Sequence, residues 1–231
     1  MLLHRIHLNP RSKDARRDLG DPYQLHATLC RAFFPQETKC LPGSLLWRQE
    51  PETDSAGLPR ILAQCRSVPD WSRLPHGWLE HTDPGIDLTQ KLALDTLVAG
   101  QRFRFRMRAN PCKTVNGKRQ GIMNRDEQIG WLERKAEQHG FTLPEPVSTD
   151  YFEFMEQPTG HAYPNCRITQ EQMLTGRKHD GMVVRVYAAL YEGQLSVTDA
   201  VLFKQALTKG IGHGKMMGLG LLSVVPIRRL G

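Results

Sequence analysis

The apolar positions at the start of the chain predict a strand followed by a helix. Residues 2–8 carry apolar side chains at strand spacing, and residues 11–17 have the charged composition of a connection. Asp21 and Pro22 then form a helix start, with Asp as the N-cap and Pro at the first helical position. Apolar residues at helical spacing continue to Phe33, where we expect the helix to end.

Two further strands are predicted after this helix. Residues 45–49 and 61–66 are short apolar runs separated by a polar loop. A strand, a helix and two strands in this order open a ferredoxin-like unit. Residues 67–92, which contain several prolines, are interpreted as the end of this domain and its connection to the next.

The second half of the chain repeats this kind of pattern. Residues 101–108 alternate apolar and basic side chains as a strand does, and residues 127–138 show helical spacing. Residues 182–191 are strongly apolar, and Glu192-Gly193 has the composition of a turn into a second short strand at residues 194–197.

The chain then closes with a helix, a loop and a strand. Tyr151–Met155 is a short strand candidate, Asp199 caps a helix that ends at Lys209, and residues 221–227 are an apolar strand. We therefore expect an α+β protein with two ferredoxin-like domains in tandem, at residues 1–92 and 93–231. Each domain would have an antiparallel sheet with helices on one face.

Composition narrows the class of partner. The chain has 31 Lys and Arg against 24 Asp and Glu, with a pI near 9.3, which suits a protein that binds a polyanion. Neither a signal peptide nor an apolar run long enough to span a membrane is visible, so a cytoplasmic protein is expected. The five cysteines are odd in number and form no CxxC pair, which favours reduced thiols over a zinc site.

One strand concentrates positive charge. Along residues 102–108 the apolar side chains alternate with Arg102, Arg104, Arg106 and Arg108, whose guanidinium groups would stand about 6.8 Å apart on one face. Such a face suits phosphates, although the same pattern also describes a solvated outer face. A predicted hairpin extends it, with a turn at Asn116-Gly117 and with further basic residues at Lys113, Lys118 and Arg119.

A glycine-rich basic loop follows the last helix. It contains five glycines between residues 210 and 220, and its candidate binding residues are Lys209, Gly210, Gly212, His213, Gly214 and Lys215. Glycine allows the backbone to approach a ligand closely and leaves N–H groups free for oxyanions. The spacing completes neither an ATP-binding nor a dinucleotide-binding motif. A flexible connection between helix and strand is the alternative interpretation.

The first helix carries a candidate catalytic pair. Tyr23 and His26 lie one turn apart near the helix N-terminus, where both could reach one phosphate. Histidine can transfer protons near neutral pH, and a tyrosine hydroxyl can stabilise a developing charge. Taken alone, a histidine beside an apolar face is more often structural.

Three segments together resemble the CasE-type endoribonucleases of type I-E CRISPR systems. They are Tyr23-Gln-Leu-His26, Arg106-Met-Arg-Ala-Asn-Pro-Cys-Lys-Thr114 and Gly210-Ile-Gly-His-Gly-Lys-Met-Met-Gly-Leu-Gly-Leu-Leu-Ser223. The segment Gln128-Ile-Gly-Trp-Leu-Glu-Arg-Lys135 is similar to the helix that follows in that family. All four occur in the family's order and spacing.

The resemblance implies RRM-related domains and metal-independent cleavage of precursor CRISPR RNA at the repeat hairpin, without a cofactor. It implies that His26 and Tyr23 are catalytic, and that the glycine-rich loop and the arginine strand with its hairpin contact the RNA. It also implies that the protein stays with its product in the Cascade complex. Two alternatives are a non-catalytic RNA-binding protein of RRM-like fold and an enzyme that acts on a phosphorylated metabolite.

Overall fold

The computed structural model describes residues 1–35, 40–41, 43–144, 166–178 and 180–227. The predicted strand at Tyr151–Met155 lies outside these residues. Within them the chain forms two five-stranded antiparallel sheets, each with helices packed on one face, and a separate two-stranded hairpin. The two larger sheets confirm the predicted fold class.

The first sheet is formed by the N-terminal strands in the order β2-β3-β1-β4, with β5 paired to β1. Its strands are β1 (Leu2–Leu8), β2 (Leu45–Gln49), β3 (Arg60–Cys65), β4 (Leu79–Thr82) and β5 (Ile86–Asp87). Its helices are α1 (Lys13–Gly20), α2 (Pro22–Phe33) and the short α3 (Leu88–Lys91). The buried faces of β1 to β3 pack on α1 and α2 around Ile6, Leu25, Leu29 and Trp47.

The helix α1, which precedes the predicted helix at Tyr23 and His26, was not predicted. Residues 11–17 were expected to be a connection, but Ser12 caps α1 by accepting a hydrogen bond from the Ala15 backbone N–H at 3.4 Å. The helix ends at Gly20, and Asp21 then caps α2 by accepting hydrogen bonds from the N–H groups of Tyr23 and Gln24. The sequence of α1 is charged and lacks an apolar stripe at helical spacing, because only Ala15 and Asp18 are buried.

The second sheet has the order β10-β11-β6-β12, with β9 paired to β11. Its strands are β6 (Arg102–Ala109), β9 (Phe141–Thr142), β10 (Cys166–Arg177), β11 (Val183–Val197) and β12 (Leu222–Pro226). The strands β7 (Cys112–Val115) and β8 (Lys118–Gly121) form the predicted hairpin, and the helices are α4 (Arg125–Gln138) and α5 (Ala200–Lys209). The two sheets therefore share one ferredoxin-like strand order.

Two expectations about the second sheet were wrong. Glu192-Gly193 is not a turn, because these residues pair with Arg106 and Phe105 inside the single long strand β11. The strand β10 was missed, although it pairs with β11 along most of its length. Its sequence is largely polar and half of its side chains are exposed, so it lacks the apolar signal of a strand.

Buried polar contacts join the two sheets. Arg48 of β2, which is 1% exposed, donates from Nη1 to the carbonyl of Arg106 at 2.9 Å and of Leu221 at 3.3 Å. Gln64 of β3 donates to the carbonyl of Leu207 at 2.7 Å. The last strand of the first sheet ends at Asp87 and the second sheet begins at residue 102, while the exact boundary at residue 92 remains a prediction.

Candidate functional site

His26 lies on α2 at the junction of the two sheets, and its ring is held by an indole. Trp47 of β2 donates its Nε1–H to His26 Nδ1 at 3.1 Å. An indole nitrogen can only donate, so Nδ1 must be the unprotonated nitrogen. The neutral His26 ring therefore carries its proton on Nε2. Trp47 could not be predicted as a partner of His26, because only the tertiary fold brings strand β2 next to this helix.

Two thiols flank the other ring nitrogen. His26 Nε2 lies 3.6 Å from Cys30 Sγ, and ligand atoms of His26, Cys30 and Cys40 lie within 4.8 Å of one another. Hydrogen bonding with Cys40 raises the pKa of the Cys30 thiol, and the same hydrogen bond lowers the pKa of Cys40. These three residues could hold a soft metal ion only if His26 changed tautomer and lost the hydrogen bond from Trp47.

Tyr23 lies one turn before His26 and packs between the sheets. It contacts a small apolar cluster of the second sheet and its loop, formed by Leu174, Ala188, Met217 and Leu219. A Cβ added at Gly176 of β10 would lie 2.8 Å from Tyr23 Cβ, so the strand passes close to the helix. The N–H groups of Tyr23 and Gln24 are already bonded to Asp21. These two N–H groups are therefore not available to a phosphate.

The glycine-rich loop packs on the same tryptophan. All five of its glycines have positive φ, as expected where a glycine is required. Gly214 and Gly218 bracket a short 3-10 turn at Lys215–Met217. A Cβ at Gly218 would lie 2.7 Å from the Trp47 ring. The close approach that glycine permits here is therefore to Trp47, and through Trp47 the loop is connected to His26.

Lys215 is held within this loop. Its Nζ donates to the carbonyl of Gly212 at 3.0 Å, and partial burial lowers its pKa. Its side chain also passes Gly43, where an added Cβ would lie 3.5 Å from Lys215 Cδ. The ammonium group is therefore positioned by the protein between the loop and the start of β2.

A basic cluster surrounds the exposed tip of the loop. Burial, followed by the charges of Arg119, Lys135 and Lys215, lowers the pKa of His213. Burial and the charges of Lys135 and Lys215 likewise lower the pKa of His139. We call these five residues the basic cluster; they bring together the hairpin, the end of α4 and the loop. Lys135 and His139 were not among the predicted site residues, although Lys135 ends the α4 segment that carries the resemblance.

The arginine side chains of β6 are less available to a ligand than the sequence indicates. Arg104 is exposed, whereas Arg102 is half-buried and donates to Gln194 at 3.2 Å. Arg106 forms ion pairs with Glu192 at 2.6 Å, with Glu50 at 2.7 Å and with Glu52 at 3.1 Å. Burial alone would lower the pKa of Arg106, but the hydrogen bonds with these three carboxylates raise it. Arg106 is therefore paired with carboxylates and does not add a free positive charge to the predicted face.

Arg108 is buried rather than presented to a ligand. It is 8% exposed, and burial followed by the charge of Arg48 lowers its pKa. Its Nε and Nη2 have no hydrogen-bond partner among the residues that the structure describes. Arg108 therefore lies at the contact between the sheets, together with Arg48.

The remaining predicted binding residues are mostly exposed. Lys118 and Arg119 are exposed on β8, Lys209 is exposed at the end of α5, and Lys113 forms an ion pair with Glu127 at 2.5 Å. Gly210 is buried. A Cβ added there would lie 2.8 Å from the carbonyl oxygen of Gly220 and 2.9 Å from Leu46. The structure thus brings His26, Tyr23 and the loop together, while Arg104 is exposed on β6 of the second sheet.

Comparisons with known proteins identify one family, whose model covers most of the chain. A family described as CRISPR associated protein matches residues 1–226. The chain is 39% identical to the CRISPR-associated endoribonuclease Cse3 of Thermus thermophilus, covering 98% of this chain and all of that protein. It is 30% identical over 144 residues to the Cascade subunit CasE of Escherichia coli, which covers 57% of this chain and 61% of that protein.

A solved structure agrees with these sequence matches. Thermus thermophilus Cse3 bound to an RNA representing a pre-cleavage complex superimposes with a TM-score of 0.76 at 36% identity, covering 97% of this chain and 98% of that one. In the part of the chain that the structure describes, no helix has the length and apolar character needed to cross a bilayer.

Proposed function

Because this chain belongs to the family of CRISPR-associated proteins that includes the endoribonuclease Cse3, we propose that it cleaves precursor CRISPR RNA at the repeat hairpin. We propose further that the cleavage needs no metal ion and leaves a 2′,3′-cyclic phosphate. The product would stay bound in a Cascade complex in the cytoplasm, since the similar CasE of Escherichia coli is a Cascade subunit.

The observation that carries this proposal is the setting of His26. Its Nδ1 is held by Trp47, its Nε2 carries the proton, and Tyr23 lies one helical turn away at the junction with the glycine-rich loop. Among the residues that the structure describes, the groups found next to this histidine are an indole and two thiols, whereas two-metal cleavage requires several carboxylates around the ions. These contacts of His26 support cleavage by hydrogen bonding and proton transfer.

RNA supplies its own nucleophile for such a reaction. The 2′-oxygen forms a bond to phosphorus, the bond from phosphorus to the 5′-oxygen breaks, and the 2′-hydroxyl proton ends on the 5′-oxygen. The protein must align these atoms and stabilise the charge that develops on the phosphorane. His26 Nε2–H would donate a hydrogen bond to this charge, as a neutral imidazole does elsewhere. Tyr23 would assist at the same phosphate, with Lys215 as an electrostatic helper.

The RNA stem would be held by positive charge on the second sheet. The basic cluster, Lys118 and Lys209 are candidates near the loop, and Arg102 and Arg104 are candidates along β6. Contacts of this kind bind backbone phosphates and depend on salt. No aromatic RNP1-type cluster appears in the sequence, so we expect recognition of hairpin shape rather than of stacked bases.

The direct test is cleavage of a repeat hairpin by a His26→Ala variant. We expect the cleavage rate to fall by about 10²–10⁴-fold, while hairpin affinity stays nearly unchanged. His76→Ala is the matched control, since this exposed histidine lies outside the site. Full activity of His26→Ala would remove this residue from the mechanism, and hairpin binding without cleavage by the unmodified protein would favour a non-catalytic RNA-binding protein.

The route of cleavage is tested with the substrate. A 2′-deoxy nucleotide before the cut should stop cleavage, and the normal product should end in a 2′,3′-cyclic phosphate. Activity should persist in EDTA. Efficient cutting of the deoxy substrate would contradict attack by the 2′-hydroxyl.

A further inference from the structure

The two thiols beside His26 belong to different segments of the first half of the chain. Cys30 lies on α2 one turn after His26, and Cys40 lies on the connection from α2 to β2. The two sulfur atoms lie within 4.8 Å of each other. Both thiols are free and only half-buried, so a small molecule can reach them. The proposed cleavage reaction uses neither sulfur.

The surroundings give the two sulfurs different protonation states. Because Trp47 donates to His26 Nδ1, the Nε2–H of His26 is directed to the thiols, with Cys30 Sγ at 3.6 Å. The hydrogen bond from Cys30 lowers the pKa of the Cys40 thiol against the effect of burial, and the hydrogen bond from His26 adds to this. The same contact with Cys40 raises the pKa of Cys30. A thiolate therefore lies beside a protonated thiol, as in a pair of attacking and resolving cysteines.

A peroxide can convert such a pair to a disulfide in two balanced steps. The Cys40 thiolate attacks one peroxide oxygen, the O–O bond breaks, and the hydroxide that leaves takes up a proton to become water. Cys40 is then a sulfenic acid. The Cys30 sulfur attacks the Cys40 sulfur, the S–O bond breaks, and the hydroxide leaves as water with the proton of Cys30. The two thiols lose two electrons in total, and the peroxide accepts them.

We propose that Cys30 and Cys40 are a peroxide-sensitive pair, and that their oxidation to a disulfide inhibits cleavage at His26. The formation of the disulfide depends only on the two thiols and their neighbours. Its effect on cleavage rests on the proposed function of His26.

Inhibition follows from the position of the sulfurs next to His26 Nε2. In the reduced protein this N–H faces the sulfurs, and a phosphate oxygen of the RNA must replace them. Cys40 lies in neither a helix nor a strand, so its side chain can move away when RNA binds. A disulfide bonds Cys40 to α2 through Cys30, with an S–S distance of about 2.05 Å. Both sulfurs then stay beside Nε2 and obstruct the phosphate.

The disulfide is tested on the full-length protein by peptide mapping. The protein is treated with a small excess of hydrogen peroxide in the presence of EDTA, digested without reduction and analysed by mass spectrometry. We expect a peptide pair linked through Cys30 and Cys40, lighter by two hydrogen atoms and separated by dithiothreitol. Cys112→Ser is the matched control and should form the same link, since Cys112 lies on β7 of the hairpin. No link, or a link from Cys30 to the buried Cys65, would overturn the proposal.

The effect on His26 is tested with the same samples. Single-turnover cleavage at saturating RNA should fall by about 10–10²-fold after oxidation and recover with dithiothreitol, because the reacting phosphate is displaced. The nitrogen chemical shift of His26 Nε2 should change with oxidation, and this readout needs no RNA. Cys40→Ser should keep the cleavage rate of its own untreated sample after peroxide, whereas Cys112→Ser should lose activity like the unmodified protein.

A linked protein that cleaves at the reduced rate would overturn the inhibition. Equal loss of activity in peroxide-treated Cys40→Ser would also overturn it, because the damage would then lie elsewhere. If the reduced protein does not cleave the hairpin at all, the proposed function fails. The peptide map and the His26 shift still decide whether the disulfide forms and whether it alters this histidine.

Discussion

The partner of the candidate catalytic histidine is an indole, and this differs in effect from a carboxylate. A carboxylate accepts a proton from the ring and stabilises an imidazolium, whereas the Trp47 N–H donates to the ring. A second proton on the His26 ring would have to occupy Nδ1 and would displace this bond. Trp47 therefore acts as a positioning residue that fixes the orientation and the tautomer of the neutral His26 ring.

We expect Trp47→Phe to reduce cleavage at saturating RNA by about 10–10²-fold, because His26 can then exchange tautomers. Nitrogen chemical shifts of His26 should show the Nε2–H tautomer in the unmodified protein and a mixture in the variant. Trp78→Phe is a matched control, since this buried indole donates to Asp18 at 2.9 Å and is not bonded to His26. Unchanged His26 shifts in Trp47→Phe would contradict the assigned role.

The arginine strand shows what a sequence can predict at this scale. Strict alternation predicted which side chains of β6 share a face, and the structure confirms that Phe103, Phe105 and Met107 are buried. It could not predict the ion pairs of Arg106, because two of its three carboxylates come from a loop about fifty residues away in the other sheet. The same limit applies to Trp47 and His26, which only the tertiary fold brings together.

Arg104 and Arg106 should therefore respond differently to substitution by alanine. Arg104→Ala should lower the salt dependence of hairpin binding by about one unit of slope and leave stability unchanged, because its side chain is exposed. Arg106→Ala should lower the free energy of unfolding by about 1–3 kcal/mol, because three carboxylates lose their partner. Salt titrations and urea unfolding measure the two effects. A stable Arg106→Ala protein with a reduced salt slope would assign Arg106 to the RNA instead.

At the scale of elements, the glycine-rich loop was recognised from its composition but its contacts were not. Its glycines predicted backbone conformations that other residues rarely adopt, and all five have positive φ. The close approach was predicted to be to a ligand, and that part stays a prediction. The sequence could not show that the approach at Gly218 is to Trp47. Elements with a clear apolar period were predicted well, among them α2, α5 and β6. The strand β10 was missed, because its polar residues are held by pairing with β11 rather than by burial.

Alanine substitutions at two glycines of the loop distinguish the effect of backbone strain from the effect of the contact with Trp47. Gly212 and Gly218 have φ of +77° and +74°, so alanine at either should cost about 1–3 kcal/mol of stability. A Cβ at Gly212 meets Trp131 only at 3.6 Å, whereas one at Gly218 meets Trp47 at 2.7 Å. We expect Gly218→Ala to slow cleavage at saturating RNA by displacing Trp47 from His26. Gly212→Ala should weaken hairpin binding more than it slows cleavage.

Single-turnover rates at saturating RNA, together with hairpin affinities, distinguish the two variants. If both variants slow cleavage equally at saturating RNA, the effect comes from the loop backbone, and the expected displacement of Trp47 from His26 is contradicted. Thermal unfolding shows whether the strain is matched in the two variants.

At the scale of the whole molecule, the candidate catalytic pair and the candidate RNA-binding groups belong to different halves of the chain, and Lys215 of the loop is a candidate for both roles. His26 and Tyr23 lie on α2 above the first sheet, whereas the basic cluster and Arg104 belong to the second half of the chain. The buried hydrogen bonds of Arg48 and Gln64 join the two halves of the chain. They hold the catalytic and RNA-binding groups in a fixed relative position. A ferredoxin-like order in both halves was predicted, although the apolar pattern missed β10 and divided β11. The junction between the halves was not predicted, because polar residues form it.

This separation leads to a prediction about turnover. Contacts between the second half and the stem do not involve the bond that is cut, so they should survive cleavage and retain the product hairpin. We expect a burst of about one product per protein when hairpin is in excess, followed by slow release that higher salt accelerates as phosphate contacts weaken. Rapid mixing with labelled hairpin measures the burst, and a pulse of unlabelled product measures release. Many fast turnovers in low salt would show that the stem contacts are lost with the cut strand.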